Sequence, residues 1–280
     1  MLRVGTDCSG IESPIEALIQ LGIRHKHVFS SEINKYCIQS IVANYTPEII
    51  FGDIMDRNIN DVPDIDLYIC GFPCQPFSML GNRKGVQDTR GTIFERCLEV
   101  IKIKSPIYFI LENVQGLLSV GKRAKPSKNL SETFQYIINT LENIGEYKVY
   151  WKVLNTSDFG LPQNRKRIYI IGTKKTFEWP KPIKCKNLKN FVDKTDNSTD
   201  VIPKRVHISG LMDRIPKNSV FIDFSLQGYT SFPNSDKICP CLLLRSDIYC
   251  VPKGRRANIN ELLLLQGFPK TFKQVVSNTQ

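Results

Sequence analysis

Histidine is scarce in this chain, and paired cysteine motifs are missing from it. Three histidines in 280 residues give little material for a zinc centre, and the nine cysteines include no Cys-x-x-Cys pair. An odd number of unpatterned thiols describes reduced cysteines in an intracellular protein rather than a disulfide framework. Cys239-Pro240-Cys241 is spaced too tightly for the usual zinc pattern, so no metal is expected. No run approaches the roughly 18 apolar residues of a membrane span. The start, MLRVGTDCSG, lacks the long apolar segment of a secretory signal. The expected location is therefore intracellular, with no membrane partner. Also missing is a Gly-x-Gly-x-x-Gly turn after the first apolar run, where only Gly10 stands in place for a tight turn. A dinucleotide pyrophosphate needs that glycine nest for close backbone approach, which argues against an NAD enzyme and for a nucleoside cofactor without the pyrophosphate.

What is present is a chain that is 41% hydrophobic, enough for one sizeable core and a small second lobe. The net charge of +11 is uneven: residues 1–110 hold 11 Lys/Arg against 13 Asp/Glu, whereas residues 175–280 hold 17 against 9. The first part suits a small-molecule site and the last part a polyanion. Apolar runs alternate with helix patterns up to residue 174. LRVG (2–5), HVFSSE (27–32), EIIFGD (48–53), IDLYICG (65–71), IYFILEN (107–113), YKVYWKVLN (147–155) and RIYIIGTK (167–174) read as strands. SPIEALIQLG (13–22), with Ser13 as N-cap and Pro14 first in the helix, NKYCIQSIVANY (34–45), TIFERCLEVIKIK (92–104) and SETFQYIINTLENIG (131–145) read as helices. Ser131 supplies a cap, but Phe134 denies that helix a full capping box. The alternation predicts an α/β fold, a mostly parallel sheet with helices on both faces. Residues 175–240 are irregular, yet Phe191, Val192, Leu211, Met212, Val220, Phe221, Phe224 and Tyr229 give them enough apolar surface to fold. NINELLLLQG (258–267) reads as a helix buried on much of its surface.

Ligands of open α/β sheets bind at the carboxyl ends of the strands. Those ends carry Glu32, Asp53, Cys74 and Glu112. A single acid there is ordinarily a helix cap or a surface charge; chemistry-bearing groups at successive strand ends are harder to explain that way. Glu32, after the second strand, stands where an acid accepts hydrogen bonds from ribose. Cys74 sits between Pro73 and Pro76, which fix the direction of its sulfur. A thiol near its usual pKa of about 8.5 needs a good electrophile or help. Glu112, one strand away, is positioned to carry a proton, and no histidine lies nearby in sequence. A thiol and a carboxylic acid together suit a ring that becomes electrophilic when protonated. Cytosine is such a ring: a proton at N3 opens C6 to attack.

The chain resembles the cytosine-C5 DNA methyltransferases over residues 2–280, motif by motif and in order. TDCSGIESPIEAL is similar to the first cofactor motif, SSEINKYCIQSIVANY to the second and GDI to the third. GFPCQPFS resembles the nucleophile motif, GNRKGVQDTRGTIFE the mobile loop with the segment after it, ENVQGL the Glu-Asn-Val motif, and GLPQNRKRIYIIG the Gln-x-Arg-x-Arg motif. RRANINELLLLQGFP resembles the last of the series. The resemblance implies a Rossmann-like methyltransferase fold with a small irregular target recognition domain. It divides the chain into a cofactor-binding and catalytic domain (1–174), target recognition (175–240) and a return to the catalytic domain (241–280).

The resemblance also implies methyl transfer from S-adenosylmethionine to C5 of a cytosine flipped out of double-stranded DNA at a short recognition sequence. Cys74 is implied to attack C6, Glu112 to hold and protonate N3, and Asn113 to shape that contact. Arg167 is expected at the cytosine O2 and Arg165 in support. Proton donation near neutral pH asks for a raised Glu112 pKa, which burial supplies. The implied cofactor pocket comprises Cys8, Gly10 and Ile11, Glu32 on the ribose hydroxyls, Ile33 on the adenine, Asp53 at the adenine amine with Ile54 beside it, and Pro73 and Ile93. Gln75, Ser78, Arg83, Lys84 and Arg90 are implied DNA contacts from the loop, and Thr230 and Ser231 are candidates for contacts near the bases.

Two departures stand out. Cys8, Glu12 and Ser13 replace the usual phenylalanine and paired glycines, which reduces the surface offered to the cofactor. The family's Gly-Asn-Ser motif and last helix are not found before FKQVVSNTQ; the expectation is weak cofactor binding unless a second polypeptide supplies them, and otherwise a monomer. Two alternatives remain: a tRNA-cytosine methyltransferase, whose Cys-Phe-Thr tripeptide is absent, and a non-catalytic or split DNA-binding subunit.

Overall fold

A computed structural model describes residues 1–73, 92–119, 130–198, 212–225 and 235–276. Contacts between Cα atoms divide the chain into two units. The first holds Met1–Leu154, Arg167–Trp179 and Lys273–Gln280, and the second Asn155–Lys166 and Pro180–Phe272. By compactness, most of the stretch after residue 240 groups with the second unit.

In the first unit, strands β1 (Leu2–Asp7), β2 (His25–Ser31), β3 (Ile49–Phe51), β4 (Leu67–Cys70), β5 (Tyr108–Val114), β6 (Lys148–Asn155) and β7 (Lys166–Thr173) form one sheet in the order β3-β2-β1-β4-β5-β7-β6. The pairs β2–β3, β1–β2, β1–β4 and β4–β5 are parallel, and β7 runs antiparallel to β5. The α/β fold with a mostly parallel sheet is therefore as the alternation predicted. Strand order reverses at β1, whose neighbours are β2 and β4, which makes its carboxyl end the switch point of the sheet. Gly172 on β7 faces Phe109 on β5 so closely that a Cβ would stand 1.9 Å from the ring, so any larger residue there would displace the Phe109 side chain.

Helices α1 (Ser13–Gln20), α2 (Lys35–Asn44), α3 (Thr92–Lys104) and α4 (Glu132–Glu142) fill the connections. Phe94, Cys97, Leu98 and Ile101 of α3 and Phe134, Ile137 and Leu141 of α4 join one core with Phe29, Tyr68, Phe109, Leu111 and Ile168 from the strands. Ile15, Leu18 and Ile41 bury the inner sides of α1 and α2. Asn34 caps α2 by accepting from the Tyr36 N–H, and Ser131 caps α4 by accepting from the Phe134 N–H at 3.1 Å. One expectation fails. Ser13 is the first helical residue of α1 rather than its cap, because Glu12 takes the cap position in a left-handed conformation, φ 63°.

The second unit has its own core, built from Leu188, Phe191, Val220, Phe221, Cys239, Ile248, Cys250 and Leu265. Strands β8 (Phe221–Asp223), β9 (Ile248–Cys250) and β10 (Arg255–Arg256) pair antiparallel in the order β10-β9-β8. Helix α5 (Ile259–Leu265) opens with a full capping box between Asn258 and Glu261. Leu263 and Leu265 are buried, as its run of leucines predicted. The Glu261 carboxylate also takes two bonds from the buried Arg255 guanidinium, at 2.8 and 3.0 Å. Among the described residues, no helix is long and apolar enough to cross a membrane.

Candidate active site

The register of the sheet brings the strand ends level. Asp7 pairs with Ser31 on one side and Cys70 on the other, Ser31 pairs with Phe51, and Cys70 pairs with Leu111. Residues just beyond these positions share one rim: Cys8 and Gly10 after β1, Glu32 and Ile33 after β2, Asp53 after β3, Gly71 to Pro73 after β4, and Glu112 and Asn113 at the end of β5.

The turn after β1 is tightly sewn. Cys8 (φ 51°), Gly10 (φ 56°) and Glu12 (φ 63°) all adopt left-handed backbone. For the two non-glycine residues this costs about 1–2 kcal/mol each, so the surroundings must hold them. The Gly10 N–H donates to Glu32 Oε2 at 2.8 Å, and the Ser9 hydroxyl and amide both engage the Ser31 carbonyl. Glu12 is fully buried: its carboxylate accepts from the hydroxyls of Thr6 (2.5 Å) and Ser30 (2.6 Å), and His27 Nε2 lies 3.3 Å away. The expected glycine is thus replaced by a buried carboxylate that braces the same turn. Cys8 is half-buried against the core.

The Glu32 carboxylate also accepts the Ile33 and Asn34 amides, both at 2.9 Å, and Ile33 itself is 73% exposed. Asp53 accepts the Met55 N–H with Oδ1 at 2.9 Å. A carboxylate offers about four acceptor sites, so both acids retain capacity for further donors. Ile54 belongs to the core, and Ile93, at the start of α3, packs against it from the edge.

On the other side of β4, Arg167 Nε lies 3.0 Å from Glu112 Oε1. Glu112 Oε2 lies beside Gly71, 3.5 Å from where a Cβ would stand. The Glu112 side chain is 28% exposed, with Arg167 beside it. The Asn113 amide donates to the Phe72 carbonyl at 2.8 Å and accepts from the Val114 N–H, fixing the chain as it approaches position 74. The strand pairing Val114–Arg167 is what brings the arginine to the acid. Arg165 belongs to the second unit, where its carbonyl accepts the Thr156 N–H. Cys74, Gln75, Ser78, Arg83, Lys84 and Arg90, and likewise Thr230 and Ser231, lie outside the described residues.

Sequence reasoning missed the polar groups beneath the rim. The Asp7 carboxylate takes both terminal nitrogens of Arg57, at 2.5 and 2.8 Å, and the Tyr68 hydroxyl at 2.6 Å. Burial and the Asp7 charge together push the Tyr68 hydroxyl well up, so it stays a donor. Burial is the largest single influence and works against the Arg57 charge, but the bond to Asp7 and the charges of Asp7, Tyr68 and Cys97 together outweigh it and hold that guanidinium above its usual value. An acid ending an apolar strand and a lone arginine shortly after Gly-Asp-Ile were the available signals.

A seven-stranded sheet in which β7 runs antiparallel to β5, a braced turn at its switch point and an acid–arginine pair on β5 and β7 define a methyltransferase-type α/β enzyme. The chain belongs to the C-5 cytosine-specific DNA methylases, whose family model matches residues 8–229. It is a DNA (cytosine-5-)-methyltransferase. It is 41% identical over 261 residues to the Type II methyltransferase M.HaeII of Haemophilus aegyptius, spanning 89% of this chain and 77% of that one. With M.NgoBI of Neisseria gonorrhoeae it shares 38% identity over 258 residues, 88% and 77% of the two chains. The fold is similar to that of the S. pombe Dnmt2 methyltransferase, with a TM-score of 0.71 at 22% identity, covering 100% of this chain and 91% of that structure.

Proposed function

We propose that this enzyme methylates C5 of a cytosine within a short sequence of double-stranded DNA, as the modification half of a Type II restriction–modification pair. The cytosine is flipped from the duplex into the rim beside β4 and β5. In this reading residues 1–174 carry cofactor and catalysis, 175–240 target recognition, and 241–280 return to the catalytic part.

The Glu112–Arg167 pair beside the chain leading into Cys74 carries this reading. Glu112 presents a carboxyl to the cytosine N3, and Arg167 the cation for O2. Cys74 adds its sulfur to C6, forming an S–C bond as the ring's π electrons move to C5. Asn113 holds the approach, and Arg165 supports the site charge. S-adenosylmethionine, when bound, supplies the methyl group as an electrophilic sulfonium methyl. Glu32 would hold its ribose, Asp53 and Ile33 its adenine, and Cys8, Gly10, Ile11, Ile54, Pro73 and Ile93 the remaining walls. Removal of the C5 proton then restores the double bond and expels the thiolate. Gln75, Ser78, Arg83, Lys84 and Arg90 meet the DNA from the loop, and Thr230 and Ser231 read near the bases.

The test is covalent trapping on duplex DNA in which 5-fluorocytosine replaces cytosine, since fluorine cannot leave as the C5 proton does. The wild-type chain forms an adduct stable to denaturing electrophoresis when S-adenosylmethionine is present, and Cys74→Ser forms none. An adduct of normal yield from Cys74→Ser removes the covalent mechanism. Bisulfite sequencing of DNA from expressing cells reads the target sequence directly.

A further inference from the structure

The catalytic scheme makes no use of the two opposite charges buried beneath the cofactor turn. Asp7 ends β1 and is immediately followed by Cys8; it is 1% exposed. Arg57 lies four residues after Asp53, and its side chain is only 2% exposed. Each ring of Phe29 and Phe51 has its centroid 5.2 Å from the guanidinium carbon, so the cation is confined by aromatic surface as well as by its partner.

The segment between Asp53 and Arg57 is held from a second direction. Arg96 of α3 donates from Nε to the Ile54 carbonyl at 3.1 Å and from Nη2 to the Arg57 carbonyl. Its remaining terminal nitrogen pairs with Glu99. Two arginines therefore fasten one short loop, one to the end of β1 and one to the helix that begins with Thr92 and Ile93. All three fastened pieces carry residues of the proposed cofactor pocket.

Stability alone does not account for this arrangement. A buried ion pair loses much of its attraction to desolvation, and well-packed apolar residues of similar volume often do as well or better. Arg57 Nε finds no hydrogen-bond partner among the described residues although it is buried. What an apolar pair lacks is direction: a bidentate guanidinium–carboxylate contact fixes distance and orientation together.

We propose that Arg57 is a positioning residue for the adenosine end of the cofactor, its ion pair with Asp7 setting the spacing between Asp53 and the Cys8–Gly10 turn. The proposal rests on the pocket assigned under the proposed function. An adenosyl group bridging the two loops needs both at a fixed separation, and an error of about 1 Å in such spacing is costly to binding.

The test uses the full chain and compares wild type with Asp7→Leu/Arg57→Met, Arg57→Lys and the pocket control Asp53→Ala. Titration calorimetry with S-adenosylhomocysteine is read beside melting temperature, and methyl transfer to plasmid DNA gives kcat and KM. The double variant keeps the melting temperature within a few degrees, binds S-adenosylhomocysteine at least ten-fold more weakly, and raises KM for S-adenosylmethionine with kcat at saturation little changed. Arg57→Lys, which keeps the charge without the fork, recovers part of that loss. Affinity within two-fold of wild type in the double variant, with Asp53→Ala weakened, overturns the positioning role and leaves the pocket standing. Normal binding by Asp53→Ala overturns the pocket assignment, and with it the role given to Arg57. A drop in melting temperature with kcat and KM worsening together marks a merely structural pair and also overturns it. Should the double variant fail to fold, Arg57→Lys decides: at least three-fold weaker binding at unchanged kcat supports the proposal, and wild-type affinity ends it.

Discussion

Burial sets apart four of the described cysteines, Cys70, Cys97, Cys239 and Cys250, from any that is to act as a nucleophile. Cys70 lies 3.3 Å from Cys97, sulfur to sulfur, in a fully buried setting. Burial first, and then the Cys8 and Cys97 thiols, push Cys70 well above the ordinary thiol value. Burial likewise raises Cys239, and raises Cys250 to about 12. A thiol reacts through its thiolate, so these three raised thiols stay protonated and inert at pH 8 while the fold persists. Iodoacetamide at that pH is expected to leave Cys70, Cys239 and Cys250 unmodified in the native chain and to label all of them in urea, as read by peptide mass mapping. Native labelling of Cys239 or Cys250 at the rate of a free thiol contradicts their burial in the second core. Three residues separate Cys70 from Cys74 in sequence, yet the settings inferred for them are opposite: one thiol silenced by burial, the other proposed to be presented to a ring.

Caps decide where the helices begin, and they show which parts of the fold were legible. Ser131 is fully buried, accepts the Phe134 N–H at 3.1 Å and donates to the Leu117 carbonyl at 2.7 Å, so one hydroxyl serves both α4 and the chain before it. Losing the cap costs about 1 kcal/mol, and stranding a buried carbonyl adds about 1–3 kcal/mol. Ser131→Ala is therefore expected to destabilise by about 2–4 kcal/mol in urea unfolding with an unchanged m-value, and a loss below about 0.5 kcal/mol removes the two-bond account. This cap could be read because serine before an apolar helix pattern has a single local meaning. The strands themselves and the acid-bearing rim could be read as well, because alternation and strand ends are also local. The start of α1 could not: Ser-Pro looks like a cap and first turn, and only the tertiary bonds from Thr6 and Ser30 allow Glu12 to occupy the left-handed cap instead. Asp7–Arg57 escaped for the same reason. The two lie far apart in sequence, and nothing in either neighbourhood announces the other.

At the scale of the whole molecule, two separate cores carry differently charged stretches of sequence. The acid-lined rim belongs to the first unit. Most of the excess of lysine and arginine after residue 174 falls in the second, which spans Pro180–Phe272 as its larger part. Lys181, Lys184, Lys186 and Lys189 are all exposed there. A surface that binds DNA through phosphates releases counterions, and the logarithm of affinity then falls with the logarithm of salt at a slope of about −0.9 per phosphate neutralised. Neutralising about six phosphates gives a slope near −5, or roughly a thousand-fold loss of affinity between about 50 and 200 mM salt. Fluorescence anisotropy with a short labelled duplex measures it. Converting those four lysines to glutamine is expected to flatten the slope by up to about 0.9 for each phosphate contact they make. The same change at Lys26 and Lys102 of the first unit leaves it unaltered. A slope near zero for the wild-type chain, or equal flattening by both sets, would mean that the basic excess is a solvated surface and that phosphate contact is supplied elsewhere. Because the slope counts contacts whatever the base sequence, this measurement can be made before the recognition sequence is known.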